Sequence, residues 1–248
     1  MPPIRFTPVL GAMAGNLTAV PVFPGDGFGL GLPEAIGDAA RAIWPNLIRP
    51  TWEELGDGAW KSTGRLEGEL VYEATVTPAE ETVDIAITLT NQSNRTWAQS
   101  LAFNCFNCGG SAAVNDYECV RHWVGHEGQA KRLITLPRQY GPRPTVQLYS
   151  VEGTPPGSGI PFVAGFNATP DVTLEGWMAI VARDGQRLAA CASQPTLFLF
   201  QNMEYSCIHA SPGFGPLKPG ETGKAVTRLY FIEGSVDDLR QRVHREQG

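Results

Sequence analysis

The run Val83-Asp84-Ile85-Ala86-Ile87-Thr88-Leu89-Thr90 constrains this chain more than any other feature. Val83, Ile85, Ile87 and Leu89 alternate with Asp84, Ala86, Thr88 and Thr90. A period of two places alternate side chains on opposite sheet faces, so this is a strand with one wet face. Such strands belong to antiparallel sheets, because parallel strands covered on both sides read as unbroken apolar runs. A preceding run places Leu66, Leu70, Tyr72, Ala74 and Val76 among Glu67, Glu69, Glu73 and Thr75, with Thr77-Pro78 as a turn between the two.

Further strands follow the same logic. Asn91 to Arg95 reads as a turn before a strand from Trp97 to Phe106. Asp184-Gly185 lies between 173–183 and 186–192 and predicts a type I′ hairpin. Residues 196–203 form another strand, and Pro219-Gly220 turns the chain into Ala225 to Ile232. Ser235 suits the cap of a C-terminal helix, with Asp237 and Asp238 in its first turn. The fold class expected is all-β: an antiparallel two-sheet sandwich or jelly roll with an irregular N-terminal segment and one or two short helices. Residues 1–248 are expected to form one domain. Residues 1–64 would be an irregular cover, 65–233 the strands and 234–248 the C-terminal helix. Within the cover, Pro33 to about Trp44 reads as a helix, since proline suits a first helical position and Pro45 ends the run.

The composition narrows the partners. Net charge is −6, and no cluster of Lys and Arg offsets it locally, which argues against nucleic acid and anionic membrane. No apolar run approaches the roughly 18–20 residues a membrane helix needs. Five cysteines, an odd set in a chain large enough to bury a core, point to reduced thiols in a cytoplasmic protein. Phe6 to Gly15 has one cation ahead of it and is broken by Pro8, a poor secretory signal. A secreted protein whose signal had been removed would look the same. Oligomerisation is compatible with the sequence.

The most specific chemical pattern is Cys105-x-x-Cys108 followed, after thirteen residues, by His122-x-x-x-His126. Two thiolates and two imidazoles at that spacing match a zinc site, so a divalent metal such as Zn²⁺ is the expected cofactor, if there is one. A second constellation joins His209 and Glu204 to the same histidines around a catalytic metal, or leaves Glu204 as a general acid or base. Arg121 would bind an anionic group, and Tyr205 would assist. A third group comprises amides and aromatics that interrupt or end strands: Asn104, Asn202, Trp123 and Trp177. Together they would give the mixed stacking and hydrogen-bonding surface that sugars favour.

The segments Val83 to Asn91 and Leu217-Lys218-Pro219-Gly220-Glu221 resemble those of carbohydrate-associated sandwich domains, a likeness shared by many sandwich families. Together these features predict a carbohydrate-active enzyme, hydrolysing or β-eliminating a glycosidic bond, with a carbohydrate or other small molecule as ligand. Two alternatives stand beside it, a non-catalytic carbohydrate-binding module and a structural or assembly protein.

Overall fold

The computed structural model describes residues 4–139, 143–156 and 168–247. In chain order the strands are β1 (Arg5–Pro8), β2 (Ala14–Thr18), β3 (Phe28–Gly31), β4 (Ile36–Asp38), β5 (Thr51–Gly56), β6 (Ala59–Leu66), β7 (Leu70–Pro78), β8 (Thr82–Asn91), β9 (Trp97–Ala102) and β10 (Cys105–Asn107). They continue as β11 (His122–His126), β12 (Gln129–Arg132), β13 (Val146–Val151), β14 (Ala168–Leu174), β15 (Trp177–Val181), β16 (Arg187–Gln194), β17 (Thr196–Asn202), β18 (Cys207–Leu217) and β19 (Thr222–Glu233), followed by helix α1 (Val236–Gln247). One sheet runs β1-β2-β3-β10-β18-β17-β13-β14, with β9 also on β18 and β4 on β9. The other runs β12-β11-β15-β16-β19-β8-β7-β6-β5. Among the described strands every pairing is antiparallel except β13 with β14.

The expected sandwich is therefore present. Phe106, Leu199, Ile208 and Ala210 of the first sheet share one apolar core with Ala189, Cys191, Leu229 and Phe231 of the second. Strand β8 buries Val83, Ile85, Ile87 and Leu89, as its alternation requires. A polar thread crosses this core: Asn104 donates to Thr227 at 2.8 Å, Thr227 to Ser193 at 2.7 Å, and Ser193 to the Ala210 carbonyl at 2.5 Å.

Each sheet also has a covered outer face. On the first, Leu101, Phe103, Val146, Phe198 and Phe200 pack under Ala35 and Ala39. On the second, Leu239 and Val243 of α1 pack on Trp177, Ala190 and Tyr230. Ser235 caps α1 as expected, its hydroxyl accepting from the Asp238 amide at 3.2 Å while Asp238 accepts from the Ser235 amide at 2.9 Å. Glu175 anchors the helix, accepting from Arg240 at 3.0 Å and His244 at 2.8 Å as well as from Trp177 at 3.1 Å. Burial alone would raise the Glu175 carboxyl, but these donors outweigh it and hold it below the ordinary carboxylate range. A depressed value stabilises the fold above the unfolded-state value, and that stability is lost as pH falls through the folded value. Protection of the α1 amides from exchange should accordingly fall as pH drops through that lowered value, and Glu175→Gln should remove that acid step.

Five expectations need correction. Residues 1–64 are not irregular: they carry β1 to β6, because the apolar side chains of Phe6, Leu17, Phe28 and Leu30 join the common core. The segment from Pro33 to Trp44 is not a helix. Gly37 has φ +115°, outside the helical range, and β4 pairs with β9. The strand starting at Leu66 is a hairpin, Leu66 facing Leu70 across Gly68 at φ +68°. The Asp184-Gly185 turn has positive φ at Gly185 alone, so it is not type I′, and Asp184 instead accepts from the Gln186 amide at 2.9 Å. The runs 97–106 and 173–183 are each broken, at Phe103-Asn104 and at Glu175-Gly176.

Candidate functional site

The outer face of the first sheet carries a pocket of about 480 Å³ lined by Glu34, Trp44, Phe103, Cys105, Asn107, Arg143, Phe200, Asn202, Tyr205, Cys207 and His209. Register explains how residues so far apart in the chain meet. Across β3, β10, β18 and β17, Gly29 faces Asn107, Asn107 faces Cys207, and Cys207 faces Asn202. One row along, Gly31 faces Cys105, and His209 faces Phe200. Since Phe106, Ile208 and Leu199 point into the core, strict alternation sends Cys105, Asn107, Cys207, His209, Phe200 and Asn202 to the outer face.

Glycine clears the floor. A Cβ at Gly31 would lie 2.5 Å from Glu34 Cγ and 3.2 Å from Cys105 Cβ, so only glycine lets Glu34 lie across β3 there. Backbone pairing brings Glu34 in: its amide donates to the Phe103 carbonyl at 2.8 Å, and the Phe103 amide donates to Ala35 at 2.7 Å. Glu34, Cys105 and Asn107 also line an adjoining cleft of about 360 Å³ beside Met13 and Leu30.

His209 is the most tightly positioned ring in the pocket. It stacks on Phe103 at 4.6 Å between centroids with the planes 3° apart, and Phe200 meets it edge-on at 5.1 Å. Nδ1 lies 3.0 Å from the Phe200 carbonyl, which can only accept, so Nδ1 carries a proton. Proton exchange is thereby confined to Nε2, which lies 3.7 Å from Glu34 Oε2. Burial alone would raise the Glu34 carboxyl, but the hydrogen bond and charge of His209, with a hydrogen bond from Cys105, hold it below its ordinary range. Glu34 is a carboxylate at neutral pH. Its neighbour Cys105 is the opposite case, since the hydrogen bond with Cys207 and burial raise that thiol well above its usual range.

The other expected site residues divide sharply. Tyr205 and Asn202 line the pocket with His209 and Cys105. Glu204 stands beside it but is committed elsewhere, accepting from Arg143 at 3.0 and 2.6 Å and from Thr145. These contacts hold its carboxyl near 2, too low for an acid or base at neutral pH. Arg121 spends its guanidinium on the carbonyls of Ala113, Asn115 and Val181, bracing a loop rather than binding an anion. Asn104 is the bridge between sheets described above. Trp123 lies under Arg132 at 5.5 Å, and Trp177 is buried beneath α1.

The expected zinc set does not assemble. His122 is fully buried with Nδ1 2.8 Å from Asp116, Cys108 is in the inter-sheet core, and His126 Nδ1 donates to the Thr173 carbonyl at 3.0 Å. Among the described residues, the metal-capable groups that do converge are Glu34, Cys105 and His209, their donor atoms all within 4.8 Å of one another. All five cysteines are free thiols. No described helix is long and apolar enough to cross a membrane.

Sequence reasoning missed Glu34, Trp44, Asn107 and Arg143. One signal was available for the floor: Phe28-Gly29-Leu30-Gly31-Leu32 alternates apolar residues with glycine, the mark of a strand whose other face is stripped of side chains.

No protein-family model matches the chain, and no curated protein sequence matches it. Solved structures of similar shape include a galactose mutarotase-like protein from Lactobacillus casei, 11% identical with a TM-score of 0.49, covering 92% of this chain and 100% of that one. Another galactose mutarotase-like protein, from Clostridium acetobutylicum, is 8% identical with a TM-score of 0.46, covering 93% and 98%. A GH36 α-galactosidase from Geobacillus stearothermophilus is 11% identical with a TM-score of 0.41, covering 84% of this chain and 31% of that one.

Proposed function

We propose that the pocket binds a free sugar and that Glu34 and His209 exchange protons with the two oxygens of its hemiacetal centre, interconverting the two anomers. The observation that carries this reading is the 3.7 Å approach of Glu34 Oε2 to His209 Nε2, with the other ring nitrogen pinned by a carbonyl. A hemiacetal opens when one group removes the proton of the anomeric hydroxyl while another protonates the ring oxygen. Glu34 as carboxylate is the base and His209, protonated at Nε2, the acid. The ring C–O bond then breaks, leaving an aldehyde and a free hydroxyl. Rotation of the aldehyde and closure on its other face return both protons, so no other reactant is consumed.

The surroundings support a sugar as the ligand. Trp44 and Tyr205 are exposed aromatic faces at the mouth, suited to the C–H face of a pyranose. Asn107 and Asn202 bring amides that donate and accept from hydroxyls. Hydrolysis of the usual kind needs two carboxylates flanking the bond. Among the described lining residues Glu34 is the one carboxylate, which favours proton exchange over glycoside cleavage.

Exchange spectroscopy by NMR on a panel of free aldoses tests the reading. At least one sugar should show enzyme-dependent anomer exchange and saturable binding. Trp44→Ala should weaken that binding about fivefold, for a lost stacking contact of roughly 1 kcal/mol. Cleavage of a glycoside with no anomer exchange would overturn it.

A further inference from the structure

The geometry points to a second use of the same floor: Glu34, Cys105 and His209 form a site for one thiophilic divalent ion, with Zn²⁺ as the type case, and that ion excludes the sugar. The ion site stands on the donor geometry alone, and only the exclusion of the sugar rests on the sugar reading. Tetrahedral Zn²⁺ with bonds of roughly 2.0–2.3 Å sets its ligand atoms on the order of 3.3–3.8 Å apart. Glu34 Oε2 and His209 Nε2 already stand 3.7 Å apart, and all three donor atoms lie within 4.8 Å of one another. Closure therefore asks for side-chain movements of about an ångström, and two of the groups are held near position. The His209 ring is clamped by Phe103 and Phe200, and Cys105 sits on β10.

The donor chemistry fits such an ion. His209 presents Nε2 because Nδ1 is fixed by the Phe200 carbonyl, the outer hydrogen bond expected of a metal-binding imidazole. One carboxylate and one thiolate would balance a dication, so the filled site carries no net charge into a half-buried pocket. Thiolate with imidazole selects Zn²⁺, Co²⁺ or Cd²⁺ over Mg²⁺ or Ca²⁺. Binding follows Cys–SH + M²⁺ → Cys–S–M⁺ + H⁺, with the proton released to solvent. Cys207 shares a hydrogen bond with Cys105 and lines the same pocket. The ion would take both Oε2 and Nε2, the two atoms available for proton exchange.

The test is Co²⁺ titration of the reduced, chelator-treated protein. One equivalent should raise a near-ultraviolet thiolate-to-metal band together with visible bands of tetrahedral intensity. Cys105→Ser should abolish the near-ultraviolet band, while Glu34→Gln should keep it and weaken affinity at least tenfold. No band, or a band that survives Cys105→Ser, overturns the site. Where Cys105→Ser does not fold, the wild-type protein decides. Zn²⁺ added in weak buffer should release about one proton per ion, and release of none contradicts thiolate ligation. A Co²⁺ band in a protein that binds no sugar would leave this site standing and end the sugar reading. Anomer exchange without the band does the reverse.

Discussion

Glu34→Gln is expected to slow anomer exchange by about 10²–10⁴-fold, the usual contribution of a positioned general acid or base. The amide keeps the size of the carboxylate and can still reach a sugar hydroxyl, so affinity should fall far less than rate. Saturating-sugar measurements separate the two effects. His209→Asn should cost a similar factor in rate, and the double variant should be little worse than either single one, because a base without its acid completes no cycle. Acid should mimic Glu34→Gln. The Glu34 carboxyl is held below its ordinary range by His209 and Cys105, so its base form persists through neutral pH and disappears as pH falls through that lowered value. A rate constant within threefold of wild type for Glu34→Gln would remove Glu34 from the chemistry.

Phe231→Ala should destabilise the protein by about 3–5 kcal/mol, the range for emptying a buried aromatic site. Phe231 is fully buried and meets Phe28 at 5.0 Å, Phe106 at 5.6 Å and Phe23 at 6.4 Å, all edge-on. These partners come from β3, from the segment between β2 and β3, and from β10, while Phe231 belongs to the opposite sheet. The contact thus joins the first sixty residues to the rest. In a chain of this size the loss corresponds to a drop in melting temperature on the order of 10 °C. Trp44→Ala, at an exposed ring, should change stability by less than about 0.5 kcal/mol. Equal, small effects for both would mean that the N-terminal strands are a loose cover after all.

The sandwich was legible because alternation is a local signal. Val83 to Thr90 announces its own wet and dry faces, and the structure honours them. The N-terminal strands were not legible because β1 to β4 are three to five residues long and their alternate positions are often glycine. Such strands show no contrast between polar and apolar faces, and Phe28-Gly29-Leu30-Gly31 reads as a flexible loop. The site was half legible. His209, Tyr205 and Asn202 stood out as scarce or polar residues at strand ends, and Cys105 as part of a metal-like spacing. Glu34 stayed hidden since its partner is 175 residues away along the chain. Nothing before β3 pairs with β10, and β10 with β18, puts a carboxylate over that imidazole. Spacing also misled: Cys105 and Cys108 are three residues apart, yet Cys105 faces the pocket and Cys108 the inter-sheet core.

A crystal structure with a bound aldose would probe the shared claim behind these predictions most directly. The ring should lie against Trp44 or Tyr205, its anomeric and ring oxygens within hydrogen-bonding distance of Glu34 and of His209 Nε2. A sugar bound with its anomeric carbon remote from both groups, or held on the Trp123 face instead, would contradict the account.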